Sequence, residues 1–292
     1  MNELCDFSAV DARHMIGTKE MSPVDLIDSS IARIEAINGA VNAVVATDFE
    51  PARVEAKKAE DDIMSGADIG PLHGLPIGAK DLEVTAGLKT TFGSLLYEDN
   101  VPEEDQRSIA EIRFAGGIVF AKTNTPEFGA GANTKNRVYG ATGNPFDPEL
   151  TCGGSSGGSA VSLATGMVTL ATGSDYGGSL RIPAGFCGVV GFRPSPGTVP
   201  NEVRTVGLNP YSVLGPMGRS VADAALLLGV LADDDARDPF SHGFDPALLD
   251  PLPDVDLSTL NVAVSEDLGV VPIDNGIRKT FQSRVKTFRH VF

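Results

Sequence analysis

Gly153-Gly154-Ser155-Ser156-Gly157-Gly158-Ser159 and Asp175-Tyr176-Gly177-Gly178-Ser179-Leu180-Arg181 are two glycine-serine clusters, the first preceded by Cys152. The residues between them, 160–174, are mostly apolar and small, and long enough for a helix followed by a strand. A helix and a strand bracketed by glycine loops point to an α/β architecture. Glycine-rich loops leave backbone N–H groups uncovered, and serine supplies a hydroxyl nucleophile. Two such loops at the ends of neighbouring elements bring two serines and several amide donors into one small volume, which is the composition of a site for acyl chemistry.

The flanking sequence keeps the α/β pattern. Ser22-Pro23-Val24-Asp25 has the form of a capping box with proline at the first helical position, and Leu26, Ile27, Ile31, Ile34 and Ile37 follow at helical spacing to about Asn38. A second helix is expected over 51–65. The stretch 72–81 is short, apolar and punctuated, like a strand and its approach. Residues 108–115 read as a helix and 118–122 as a buried strand, with further strands expected over 168–172, 188–192 and 260–264. Ser220-Val221-Ala222-Asp223 starts another capped helix to about Ala232. There is no internal repeat and no low-complexity linker. Residues 1–70 are expected to be an N-terminal helical segment of the same domain as 71–292, with loop-rich 239–256 the one tempting boundary.

With 292 residues, 42% of them hydrophobic, the chain can bury a large core. A net charge of −16 argues against direct binding to nucleic acid, which needs a cationic footprint. No uninterrupted apolar run reaches the ~18 residues of a membrane span, and Met1–Asp6 lacks the basic start and apolar core of a secretory signal, so a cytoplasmic protein with no membrane partner is expected. Cys5, Cys152 and Cys187 have no metal-ligand spacing and read as free buried thiols, with Cys152 a weaker nucleophile candidate than its serine neighbours. Asp233-Asp234-Asp235 reads as a solvated loop after a helix.

Several motif readings compete for the serines. Gly153-Gly154-Ser155-Ser156-Gly157 fits the G-x-S-x-G elbow, but that mechanism needs a downstream histidine and only His242 and His290 follow. Ser283-Arg284-Val285-Lys286 matches S-x-x-K without its companion motifs. No phosphate-loop signature is present. With histidine scarce, Lys80 is the base candidate: it ends an apolar run, and desolvation drives a lysine toward its neutral, proton-accepting form. On local sequence alone, an ion pair between Lys80 and Asp81 or another carboxylate at the strand end is favoured over the base.

From Leu72 to about Ala232 the chain resembles the amidase signature family, hydrolases with a Ser–cis-Ser–Lys triad. The resemblance rests on Gly74-Leu75-Pro76-Ile77-Gly78-Ala79-Lys80-Asp81, Lys122-Thr123-Asn124-Thr125-Pro126-Glu127-Phe128, the two glycine-serine clusters, and Phe186-Cys187-Gly188-Val189-Val190-Gly191-Phe192-Arg193-Pro194. These segments stand in fixed order, with Ser155 and Ser179 24 residues apart. The resemblance implies a mixed, largely parallel β-sheet flanked by helices on both faces. It implies Ser179 as nucleophile, Ser155 as bridging serine after a cis peptide bond from Gly154, and Lys80 as base. It also implies backbone N–H donors of Tyr176, Gly177, Gly178 and Ser179 as the oxyanion hole, with Asp175 and Arg181 as supports. Ser156 is expected to cap the following helix, Ser159 to be structural, and Asn124 and Thr125 to pack near the site. Tyr176 stands where the family usually carries a smaller threonine.

The family domain usually runs well past Phe292, so the resemblance implies a core lacking its C-terminal part, ending inside a helix that would pack on the core. The implied activity is cleavage of a small-molecule carboxylic amide to acid and ammonia or amine, with no metal or organic cofactor and with self-association as a homodimer. A glutamine-hydrolysing subunit of a tRNA-dependent amidotransferase shares the same motifs, and an inactive remnant is a third reading.

Overall fold

The computed structural model describes residues 3–204, 206–249 and 251–291. They form two compact units, Met1–Asp250 and Pro251–Phe292, divided within the loop-rich stretch 239–256.

The strands of the first unit are β1 (Val44–Thr47), β2 (Pro76–Lys80), β3 (Ile118–Thr123), β4 (Lys135–Asn136), β5 (Gly140–Ala141), β6 (Leu170–Asp175), β7 (Val190–Gly191) and β8 (Val213–Gly218). Six of them make one sheet of order β1-β3-β2-β6-β8-β7, while β4 and β5 form a separate hairpin. The three central strands β3, β2 and β6 run parallel, with antiparallel β1 on one side and antiparallel β8 on the other, and β7 pairs antiparallel with β8 and so runs in the direction of the central strands. Every residue of β2, β3 and β8 is buried, as expected for strands covered on both faces.

The side chains of β3 alternate between two cores: Val119 joins one, Ile118 and Phe120 the other. The Val119 core is closed by α1 (Ala9–Gly17), α4 (Arg107–Phe114) and α7 (Val221–Leu231); the Phe120 core by α2 (Pro23–Val41), α3 (Phe49–Ser65), α5 (Gly157–Ala164) and α6 (Arg181–Cys187). Helices thus lie on both faces of the sheet. The α5 helix approaches the end of β3 so closely that a Cβ on Gly158 would lie 2.1 Å from the Asn124 backbone nitrogen. Only glycine fits there.

Helix starts follow their sequence signals unevenly. The α7 capping box forms in both directions between Ser220 and Asp223, and Asp223 also accepts the Val10 N–H at 3.1 Å. At α2 only the forward half forms: Ser22 Oγ accepts from Val24 and Asp25 N–H but donates to Glu60 at 2.7 Å. The expected reciprocal bond is absent among the described residues. The segment 1–70 is not purely helical, because Val44–Thr47 leaves α2 to pair with β3. Nor are Asp233 and Asp235 simply solvated. Both bond the nearly buried Arg107 guanidinium, at 2.8 and 3.2 Å.

The second unit contains α8 (Asn275–Phe288), which buries no residue, and residues 260–264 form no strand. That apolar stretch finds no strand to pair with, and a strand exists only through its neighbour. Among the described residues, no helix is long and apolar enough to cross a membrane.

Candidate active site

Because β2 and β6 are parallel and adjacent, with Gly78 opposite Ala171, their carboxyl ends deliver Lys80 and Ser174–Asp175 to the same edge of the sheet. Crevices at the carboxyl ends of parallel strands are the ordinary sites of open α/β sheets. The Lys80 backbone N–H donates to Thr172 Oγ1 at 3.0 Å, fixing the last residue of β2 against β6.

Lys80 is fully buried, and its Nζ is bonded to three hydroxyls: Ser155 Oγ at 2.8 Å, Ser156 Oγ at 2.8 Å and Ser174 Oγ at 2.9 Å. Burial pushes its pKa down from 10.5 to about 7, against the opposing pull of the Glu83 and Asp175 carboxylates. The alternative pairing with Asp81 is not made. That carboxylate turns away to the Thr91 N–H at 3.0 Å and the Thr91 hydroxyl at 2.6 Å.

The Gly154–Ser155 peptide bond is cis. Ser156 occupies the N-cap position of α5, yet its side chain makes no capping bond, which corrects the expectation for this residue. Its hydroxyl instead serves Lys80 and donates to the Ser174 carbonyl at 3.3 Å. Ser159 is structural as expected, bridging the Thr172 carbonyl and the Thr123 hydroxyl at 2.8 and 2.7 Å.

The second loop turns between β6 and α6 around Asp175. Its buried carboxylate accepts from the N–H groups of Gly178 (2.7 Å) and Leu180 (3.1 Å), from Arg181 Nε (3.0 Å), and lies 3.4 Å from Arg193 Nε. Burial alone would raise its pKa, but Arg181 and the two backbone donors outweigh burial and hold it at about 2. Gly178 adopts φ 120°, a conformation open to glycine but rarely to other residues. Its N–H is spent on Asp175, so the free donor set is smaller than the resemblance implies. Among the described residues, the N–H groups of Tyr176, Gly177 and Ser179 have no hydrogen-bond acceptor.

Ser155, Ser174, Tyr176, Gly177 and Ser179 line one cavity of about 790 Å³, whose walls are otherwise mainly apolar. Tyr176 stands on this wall, its hydroxyl accepting from Asn209 Nδ2 at 3.2 Å and its ring centroid 5.8 Å from that of Tyr211. Asn124 and Thr125 are buried behind the site, where Asn124 Oδ1 accepts from the Thr125 N–H and from Asn136 Nδ2. Cys152 is buried, and burial pushes its thiol up to about 11, far from a reactive thiolate.

The contacts of Ser174 and of a second buried ammonium group escape sequence reasoning. That group is Lys122, fully buried at the end of β3, which donates to the Glu83 carbonyl and to Thr85 Oγ1 at 2.7 Å. Burial lowers it to about 8 while Asp81 and Glu83 pull the other way. Ser174 can be found only from the pairing of β2 with β6, since nothing in its local sequence sets it apart.

The family model for Amidase matches residues 25–290. The chain is 37% identical over 285 residues to the A subunit of the glutamyl-tRNA(Gln) amidotransferase of Carboxydothermus hydrogenoformans, covering 97% of this chain and 59% of that protein. It is 37% identical over 267 residues to an acylamidase of Rhodococcus erythropolis, covering 91% of this chain and 56% of that one. Among solved structures it superposes on a bacterial aryl acylamidase of the amidase signature enzymes with TM-score 0.86 and 31% identity, over 98% of this chain and 59% of the other. The chain therefore spans about half the length of the curated relatives it matches.

Proposed function

The chain belongs to the Amidase family, and on that ground we propose that it carries the acyl-transfer machinery of a serine amidohydrolase. The reaction is cleavage of a carboxylic amide to the acid and ammonia or an amine. The observation that carries this reading is the fully buried Lys80 amine, bonded to three serine hydroxyls at the edge of the cavity that Ser179 also lines.

The hydrogen-bond inventory explains how that amine acts as a base. An ammonium has three donors, and here three serine oxygens face it. A neutral amine keeps two N–H donors and one lone pair. Ser156 has already committed its hydrogen to the Ser174 carbonyl, so it accepts from the lysine in either state. The lone pair is left for a hydroxyl that can still give a proton, and Ser155 is the one beside the nucleophile in the family's arrangement. Neutral Lys80 takes the Ser155 proton as Ser155 takes that of Ser179, and Ser179 Oγ attacks the amide carbon. The N–H groups of Tyr176, Gly177 and Ser179 receive the developing oxyanion. Reverse transfer along the relay protonates the departing nitrogen, leaving an acyl-enzyme. Water, activated through the same relay, then releases the acid.

Release of ammonia or amine from simple aliphatic and aryl amides tests the reading. Activity should disappear in both Ser179→Ala and Lys80→Ala. Turnover surviving in both would overturn the assignment.

The similarity to the amidotransferase protein favours a second reading, hydrolysis of glutamine with ammonia passed to a partner subunit. Copurifying subunits and a strong preference for glutamine over simple amides would select it. The cavity wall weighs against it. Among the described residues, the one charged side chain on that wall, Arg204, is spent on Asp238 at 3.0 Å, so the charged ends of glutamine find no ready counter-charge there.

A further inference from the structure

Two stretches of the cavity wall hold phenylalanine in a backbone conformation that bulky side chains rarely take. Phe92 has φ 54° and Phe128 has φ 50°, and each is followed by a glycine in the same left-handed region, Gly93 at 66° and Gly129 at 72°. Asparagine or glycine would hold either position with less steric conflict, so an aromatic ring at both calls for a reason. The two loops are tied together, the Phe128 N–H donating to the Phe92 carbonyl at 2.7 Å. Tyr97 stands edge-on to both rings, with centroids 5.1 and 6.3 Å away and interplanar angles of 79° and 90°. Such T-shaped contacts fix the rings while leaving aromatic surface open. Phe128 is 54% exposed, and both phenylalanines line the cavity that contains Ser155 and Ser179.

The surroundings define what the rings would meet. Leu82, Val84 and Ala130 continue the wall without a charge. Arg204, the charged residue in the lining, is paired with Asp238 and stacked at 5.1 Å over the Phe240 ring. A charged substituent entering here would lose its hydration with no partner in return. A flat neutral group would gain both burial and oriented contact with ring faces and edges.

We propose that Phe92 and Phe128, braced by Tyr97, form an aryl subsite that binds a neutral aromatic group of the amide substrate and determines specificity. The inference rests on the amidohydrolase reading in so far as the occupant is a substrate, but the subsite binds independently of turnover. Oriented aromatic pairing adds roughly two- to tenfold to affinity beyond area burial.

The test compares benzamide with cyclohexanecarboxamide, which has similar size but no π face. Dissociation constants are measured by NMR titration of the full chain carrying Ser179→Ala, so that neither amide is consumed. Benzamide is expected to bind about two- to tenfold tighter. Adding Phe128→Leu or Phe92→Leu should erase that preference, bringing the ratio of the two dissociation constants to about one. Because the readout is a ratio within one protein, partial loss of folded material cancels. Equal affinity for the two amides, no saturable binding of either, or a preference that survives both leucine variants overturns the subsite. If benzamide is preferred yet wild-type protein releases no ammonia from it, the subsite stands and the amidohydrolase reading falls. Turnover without aryl preference leaves the amidohydrolase reading standing and removes the subsite.

Discussion

In the proposed relay, Lys80 couples burial to proton transfer. With its pKa near 7, the proposed base is about half neutral at neutral pH. Only the neutral form accepts a proton, so kcat/KM for a simple amide should rise as pH increases through about 7 and level off above it. A profile flat from pH 6 to 9 would contradict this. Lys80→Arg, which keeps the cation but cannot release its proton, should be inactive at every pH. Ser156→Ala and Ser174→Ala each remove one acceptor from the ammonium, and a hydrogen bond to a charged group is worth about 1.5–3 kcal/mol. Both variants should therefore move the rise in kcat/KM to lower pH, whereas a substitution that merely loosened the fold would lower the plateau without moving the midpoint. Lys80, Ser155 and Ser179 are singled out in the sequence by the motifs of the family resemblance, and their roles remain the proposal. Ser156 misleads because an N-cap serine and a lysine ligand look identical until the hydroxyl's direction is known. Ser174 is invisible for a different reason: its role arises from a neighbouring strand distant in sequence.

Among the helices, the glycines of α5 and α7 make opposite claims that can be measured. A Cβ at Gly158 would meet the Asn124 backbone N at 2.1 Å, and the Ala43 and Asn124 carbonyl oxygens at 2.7 Å. Backbone atoms cannot step aside cheaply, so Gly158→Ala should destabilise by at least the ~1–3 kcal/mol typical of overpacking and should push the cis-Ser155 loop away from Lys80. Gly229, within α7, has no atom within 4 Å of the place an added methyl would take. Gly229→Ala should stabilise by about 0.5–1 kcal/mol through helix propensity alone. Urea midpoints for the two variants decide the matter, and equal shifts would contradict the packing described. Apolar periodicity is enough to find α2, and capping residues, alanine-rich composition and short apolar runs find α3, α4, α7 and β3. It fails for β1 and for 260–264, two short apolar stretches of similar appearance. The first becomes a strand through pairing with β3, and the second has no such partner; that difference lies outside either segment.

Across the first unit, buried lysines make stability depend on pH in a direction opposite to that of buried thiols and phenols. Lys80 titrates near 7 and Lys122 near 8 in the folded chain, against 10.5 when unfolded. Between those limits the unfolded chain binds more protons than the native one, so stability rises with pH by up to about 1.4 kcal/mol per pH unit for each lysine. The rise cannot continue. Burial lifts Cys152 from 9 to about 11, Cys187 from 9 to about 12 and Tyr139 from 10 to about 12, so above pH 9 the unfolded chain sheds these protons first, which offsets the lysine gain and reverses it by about pH 10. Replacing Lys80 by methionine isolates one contribution. At pH 7 the wild type still bears most of the penalty of burying a cation, and by pH 9 it has shed about half of it, so wild type should gain about 2 kcal/mol on Lys80→Met between these two conditions. Urea denaturation of both proteins at pH 7 and 9 measures the difference directly. A gap that stays constant would mean that Lys80 does not change charge inside the fold, and the base proposed for the reaction would lose its physical ground along with the stability effect.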